Sequence, residues 1–277
     1  MRGTKNKAAF KAYLEGERLF TSVSKKQMAK CLAKFERATK LDKNFARAWG
    51  WRSYATVRSV LQGWVANPNT ALKEAETWAK KAVKLDPYDY APWWDLGFVY
   101  LNTGKYGSAI RTYEKAHKLY NDATDRLDRK PGLLVEMAEA YVHTGDPKKG
   151  IALIERAMRF PEWYQWNLGW AHYVARDYQS ALAALDKISL SPTNPQYVPE
   201  VRLFVAASHH RLGQTLARKK KVKESKIHEK KAKAAMAAFR KENPKFTLAD
   251  AAAARSRFKD PKDEKHWIKA LKDLGLT

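Results

Sequence analysis

Residues 93–119 read WWDLGFVYLNTGKYGSAIRTYEKAHKL, and the offsets between their large and small side chains decide the fold. Trp93, Leu96, Gly97 and Tyr100 recur at three and four positions, the spacing of one helix face, and Tyr106, Ala109, Tyr113 and Ala116 do the same after a break at Asn102, Thr103 and Gly104. Small residues at Gly97, Ala109 and Ala116 let two helix axes approach, while Trp93, Tyr100 and Tyr113 fill the space around them. The stretch predicts a helical hairpin.

The same arrangement returns along the chain. Ala82 precedes Ala116 by 34 positions, and Ala75, Ala79, Ala82 and Pro87 close a preceding unit as Ala109, Tyr113 and Ala116 close this one. Leu168, Gly169, Tyr178, Ala181 and Leu185 repeat it downstream, and weaker copies surround Gly16, Phe35 and Ala38, then Tyr141, Gly145 and Ala157, then Ala206 and Gly213. Two intervals are long: 44 residues from Ala38 to Ala82 and 41 from Ala116 to Ala157. The extra length is expected near Leu61–Asn69 and Asn121–Lys130, which are rich in Asn, Asp, Pro or Gly.

The pattern Trp93-x2-Leu96-Gly97-x2-Tyr100, followed by Gly104, Ala109, Tyr113 and Ala116, resembles the tetratricopeptide repeat. The resemblance implies an all-α, right-handed α-solenoid of about six hairpins with a C-terminal capping helix. One solenoid over 1–277 is expected, with units near 8–43, 45–88, 90–121, 131–161, 162–193 and 199–244 and a cap at 246–277. Three segments carry a finer resemblance: GTKNKAAFKAYLEGERLF (3–20), PEWYQWNLGWAHYVARDYQSAL (161–182) and NPKFTLADAAAARSRFKDPKDEKHWIKALKDLGLT (243–277). Together they are similar to the tetratricopeptide region that follows the catalytic domain in some bacterial class III adenylate/guanylate cyclases. No paired-aspartate metal site in a β-rich frame accompanies them, so cyclase activity is not implied.

Composition restricts the chemistry. With 53 basic and 29 acidic residues the formal charge is +24, a positive field that attracts nucleic acids, anionic membranes and acidic proteins alike. The single cysteine, Cys31, excludes an internal disulfide framework and reads as a small apolar filler of the first hairpin. No apolar run reaches the roughly 18 residues of a membrane span, and MRGTKNKAAF lacks the apolar stretch of a signal peptide. A soluble chain is expected, cytoplasmic as given, or periplasmic if it is part of a membrane-anchored parent.

No phosphate-binding loop, H-E-x-x-H, G-x-S-x-G or G-x-G-x-x-G occurs. His209 and His210 are adjacent, so on a helix they point about 100° apart and do not share a metal. A non-enzymatic chain without cofactor or metal is expected.

Stacked hairpins line a groove with their first helices. In this repeat class the positions after the first-helix Trp and after its Gly face inward, which implies Trp94 and Phe98 here. By motif match Trp163, Trp166, Trp170 and Tyr173 take such places in the fifth unit, and Tyr13, Tyr54 and His210 in others. Trp163, Trp166, Trp170 and Tyr173 form a single stripe on one helix face, which either packs as core or stays partly exposed as a binding surface. The Lys and Asn residues that clamp a C-terminal carboxylate in some chaperone-binding relatives are missing. The expected partner is a protein or peptide, acidic or carrying apolar anchors.

A second candidate is ARKKKVKESKIHEKKAKAAMAAFRKE (217–242), whose apolar positions predict one long helix with a lysine-rich outer face. Its basic cluster, Arg218, Lys219, Lys220, Lys221 and Lys223, suits a nucleic acid or another anionic surface, while a merely solvated face, and a spacer with no ligand, are the bland readings. The end of the chain is expected to cap the stack, with Thr247 opening a helix and Trp267, Leu271 and Leu274 on one face.

Overall fold

The computed structural model describes residues 3–20, 24–124, 131–157, 163–188, 198–253, 258 and 260–277. The chain divides into two compact units, Met1–Arg129 and Lys130–Thr277. The fold is all-α.

In the first unit, helices pair in chain order: α1 (Lys7–Leu19) with α2 (Lys25–Leu41), α3 (Ala46–Leu61) with α4 (Pro68–Leu85), and α5 (Tyr90–Asn102) with α6 (Tyr106–Thr124). Polar side chains start several of them. Asn6 accepts from the Ala9 amide at 3.0 Å and Ser24 from the Gln27 amide at 3.2 Å, so each covers a donor that the first helical turn leaves open. The long interval falls on α3 and α4, helices of 16 and 18 residues whose connection runs from Gln62 to Asn67. Of the expected insertion at 121–130, α6 takes the residues up to Thr124, and 125–130 lie outside the described residues.

Close approach explains the small residues. A Cβ on Gly97 would lie 2.6 Å from the Tyr113 ring, and one on Gly16 2.7 Å from the Phe35 ring. Each glycine therefore accepts an aromatic from its partner helix. Cys31 fills the first hairpin, fully buried, with its Sγ 3.3 Å from the Gly16 carbonyl, and burial pushes its thiol up to about 12, so it stays protonated and inert.

In the second unit α7 (Pro131–His143) pairs with α8 (Pro147–Ala157), α9 (Trp163–Val174) with α10 (Tyr178–Leu185) and α11 (Val198–Arg218) with α12 (Val222–Glu242). Then come α13 (Leu248–Ala253) and α14 (Pro261–Asp273), and α14 packs on α11 and α13. Thr247 opens α13 by accepting from the Asp250 amide at 3.2 Å, and Trp267 and Leu271 are buried on the inner face of α14.

Among the described residues, one turn ends the first helices α3, α5, α7, α9 and α11. Gly63, Gly104, Gly145, Arg176 and Lys220 all take positive φ, between 60° and 86°. The next amide in each case bonds back five residues, from Trp64 to Ser59, Lys105 to Tyr100, Asp146 to Tyr141, Asp177 to His172 and Lys221 to Leu216, at 2.9–3.0 Å. This corrects the expectation of one helix across 217–242. The chain turns at Lys219–Lys221 because left-handed Lys220 closes α11, and α12 starts afresh at Val222.

Candidate partner-binding faces

In the first unit the aromatic positions of three first helices meet. Phe20, at the C-cap of α1, lies 5.0 Å from Trp51 of α3, measured between ring centroids. Trp51 lies 5.7 Å from Tyr54, and Tyr54 stacks on Phe98 of α5 at 4.1 Å with planes inclined 23°. Trp94 stands one turn before Phe98 on the same helix face. Phe20, Trp51, Tyr54 and Trp94 are half-buried and Phe98 is buried, so the row is a packed floor with four aromatic edges reaching solvent.

A charged partner stands near. Arg58 follows Tyr54 by four residues and is half-buried, so a cation sits one helical turn from the row. Gly50 lets α5 approach beneath: a Cβ there would lie 2.1 Å from Asp95 Oδ2. The other face of this hairpin is sealed by Trp49, whose ring receives the Lys81 ammonium at 3.8 Å and whose Nε1 donates to the Lys43 carbonyl at 2.9 Å.

Tyr13, expected in a groove, is interior instead. It packs 5.0 Å from Phe45 and 6.0 Å from Phe35 and donates to Glu17 at 2.6 Å. Burial pushes its phenol far above the usual range.

The α9 stripe is likewise covered. Trp166, Trp170 and Tyr173 are 6, 1 and 0 % exposed, which corrects the reading that they line an open groove. The cover comes from α7, α11 and the C-terminal helix α14. Tyr173 is surrounded by Phe204 of α11 at 5.4 Å and by His266 and Trp267 of α14 at 5.6 and 5.7 Å, and Phe204 stacks on Trp267 at 4.2 Å. Trp170 packs on Trp166 and on His143 of α7. The side chain of Trp163 lies outside the described residues.

Polar contacts hold α14 in place. Arg176 reaches Asp263 at 2.6 Å, Arg211 donates to the His266 carbonyl at 2.5 Å, and Tyr178 Oη lies 2.8 Å from His266 Nε2. Burial, with the Arg176 and Arg211 charges, pulls the His266 imidazole down to about 3, so it is neutral beside Tyr178. His210, half-buried, is taken up by Asp273 of α14 at 3.3 Å and by Gln214 at 3.0 Å. Its neighbour His209 faces α12 instead, where His228 Nδ1 lies 2.9 Å away.

The basic cluster Arg218, Lys219, Lys220, Lys221 and Lys223 is wholly exposed around the α11–α12 turn, with Lys221 paired to Glu224 at 3.2 Å. Among the described residues no group of three or more His, Cys, Asp or Glu side chains is placed to hold a metal, and no helix is long and apolar enough to cross a membrane.

The sequence expectation names Tyr54, Trp94 and Phe98 as groove positions and leaves out Phe20 and Trp51; Phe98 is 5 % exposed and packs against Tyr54, which corrects its placement in an open groove. The available signal was Trp51 three residues before Tyr54, on the same helical face.

No curated protein matches the chain in sequence. A model of the tetratricopeptide repeat matches residues 90–123. Among solved structures, TTC0263, a thermophilic tetratricopeptide protein of Thermus thermophilus, is similar at 16 % identity over 73 % of this chain and 98 % of its own, with a TM-score of 0.54. The pilF protein of Pseudomonas aeruginosa is similar at 13 % identity over 87 % and 96 %, with a TM-score of 0.57. YrrB, described as a tetratricopeptide protein with an unusual peptide-binding site, is similar at 17 % over 76 % and 98 %, with a TM-score of 0.50. Residues 90–123 are a tetratricopeptide repeat, and the chain has the all-helical fold of tetratricopeptide solenoids.

Proposed function

We propose that the chain is a non-enzymatic protein-interaction module that takes a peptide or protein partner on the aromatic row of its first unit. The observation that carries this reading is the row itself: Phe20, Trp51, Tyr54 and Trp94, from three successive first helices, keep ring edges in solvent while Phe98 packs below them. Rigid aromatics with little conformational freedom make good anchors for apolar side chains of a bound segment. Arg58 beside Tyr54 favours a partner with a carboxylate next to its apolar anchor. A structural neighbour of the same fold, YrrB, is described by its peptide-binding site, which supports the same use here. The resemblance of segments 3–20, 161–182 and 243–277 to the region after class III cyclase domains further leads us to propose that the module belongs to a signalling protein of that kind, on the cytoplasmic side.

A peptide library displayed on phage, panned against the whole immobilised chain, tests the reading. Enriched peptides with an apolar anchor and an adjacent acidic residue are expected to lose binding to a Tyr54→Ser/Trp94→Ser variant whose helical circular dichroism matches wild type. Enrichment of peptides that bind both proteins equally contradicts the assignment.

A further inference from the structure

The +24 charge is not spread evenly over the helices. The first helices α5, α7 and α9 contain no lysine or arginine. Cations gather on second helices: α2 carries Lys25, Lys26, Lys30, Lys34, Arg37 and Lys40, and α12 carries Lys223, Lys226, Lys230, Lys231, Lys233, Arg240 and Lys241, directly after the exposed run Lys219, Lys220 and Lys221. At about 100° per residue, the buried residues of α12, Ser225, Ala232, Met236 and Phe239, occupy one arc about 60° wide. Lys223, Lys226, Lys230 and Lys233 share a second arc about 80° wide that faces away from it. All four are exposed. The acidic residues Glu224, Glu229 and Glu242 fall outside that arc, on its two sides, so no carboxylate of α12 interrupts the row.

At about 1.5 Å per residue the four lysines span about 15 Å, and the exposed Lys219, Lys220 and Lys221 of the preceding turn continue the row at one end. From this segregation we infer that the outward face of α12 is a docking surface for the phosphate backbone of a nucleic acid, bound without regard to base sequence. Lysines are mobile point charges that meet phosphates wherever they lie. The arc holds no aromatic for base stacking and no Arg, Asn or Gln for reading base edges, so the contact is to the backbone alone. A membrane surface fits less well, because a helix lying in a lipid interface needs a face of large apolar residues, and α12 exposes only Val222 and Ile227. The row belongs to the second unit and shares no residue with the aromatic row of the first, so the two readings stand or fall independently.

The test uses the whole chain and a fluorescein-labelled single strand of about 20 nucleotides, with the matching duplex alongside, read by anisotropy between about 50 and 200 mM salt. Binding is expected with a log–log salt slope of about −3 to −4, as four or so phosphate contacts require. Reversing the row with K223E/K226E/K230E/K233E is expected to weaken binding at least tenfold and to flatten the slope, while reversing as many cations on α2 with K26E/K30E/R37E/K40E changes it less than threefold. The corresponding fourfold Lys→Gln variant on α12 repeats the measurement should the Glu variant melt early. Equal losses from the α2 and α12 variants would show a diffuse charge effect and overturn the assignment. So would absence of oligonucleotide binding, or row-dependent binding to phosphatidylserine vesicles with none to the oligonucleotides.

Discussion

Tyr54 of α3 and Phe98 of α5 stack with ring centroids 4.1 Å apart, joining two successive first helices through the pair on which the proposed partner face rests. Beyond the area they bury, such a pair contributes about 0.5–1.5 kcal/mol. A double-mutant cycle with Tyr54→Ala, Phe98→Ala and the combination, followed by urea unfolding, is expected to return a coupling of that size. A coupling near zero would mean that the rings pack independently and that the row is not a mechanical unit.

Glycine replacement should change sign between two positions. In an exposed helix, Gly→Ala stabilises by roughly 0.5–1 kcal/mol because the unfolded chain loses freedom. Gly107 of α6 has only the Arg111 side chain within reach of a new Cβ, at 3.7 Å, and Gly107→Ala is expected to raise the melting temperature. Gly50→Ala places a methyl 2.1 Å from the Asp95 carboxylate inside the α3–α5 contact, and overpacking of this kind costs about 1–3 kcal/mol. Thermal melts of the two variants side by side check the prediction.

The α11–α12 turn holds a residue that its backbone does not suit. Lys220 sits at φ 60°, a conformation that costs an L side chain roughly 1–2 kcal/mol and glycine almost nothing. After the entropy glycine loses on folding, Lys220→Gly is expected to stabilise by about 0.5–1 kcal/mol. Arg176 shares the conformation at φ 66° but also pairs with Asp263 at 2.6 Å. Arg176→Gly should therefore gain less than Lys220→Gly, or lose stability. A larger gain at 176 than at 220 would contradict the account.

These turns also show where sequence reading reaches and where it stops. Hairpins are legible because Gly97 must admit Tyr113 and Gly16 must admit Phe35, and close approach is written in residue size. Turns closed by Gly104 and Gly145 are legible for a different reason: both take positive φ, 73° and 86°, which glycine adopts at little cost. The Lys220 turn is not, since a lysine forced into the left-handed region leaves no compositional mark. Nor could periodicity tell that the α9 stripe is interior. The offsets of Trp166, Trp170 and Tyr173 establish one face, but what covers Tyr173 is Trp267, 94 positions away, a contact that depends on how α14 returns.

Acid should weaken the second unit. His266 and His209 titrate at about 3 and about 4, both chiefly through burial, with Arg176 and Arg211 adding to the first and His228 and Lys231 to the second. In the unfolded chain each takes up a proton near pH ~6.5, while the folded chain refuses it until far lower pH. The unfolded state then binds more protons, so stability falls as pH drops from about 6.5 towards 4. His266→Gln is expected to flatten this fall in melts at a series of pH values across that window. An unchanged pH profile in the variant would remove His266 from the explanation.

The most direct measurement of the central claim is site-specific photocrosslinking on the whole chain in nuclease-treated extract of its own source cells. A benzophenone amino acid replaces Trp94 in one protein and Tyr88, which is 85 % exposed on the connection before α5, in another. The aromatic row predicts a discrete protein adduct from position 94 that is missing from position 88 and disappears when Tyr54→Ser is added. No adduct at 94, or the same adducts from both positions, would contradict partner binding on this face.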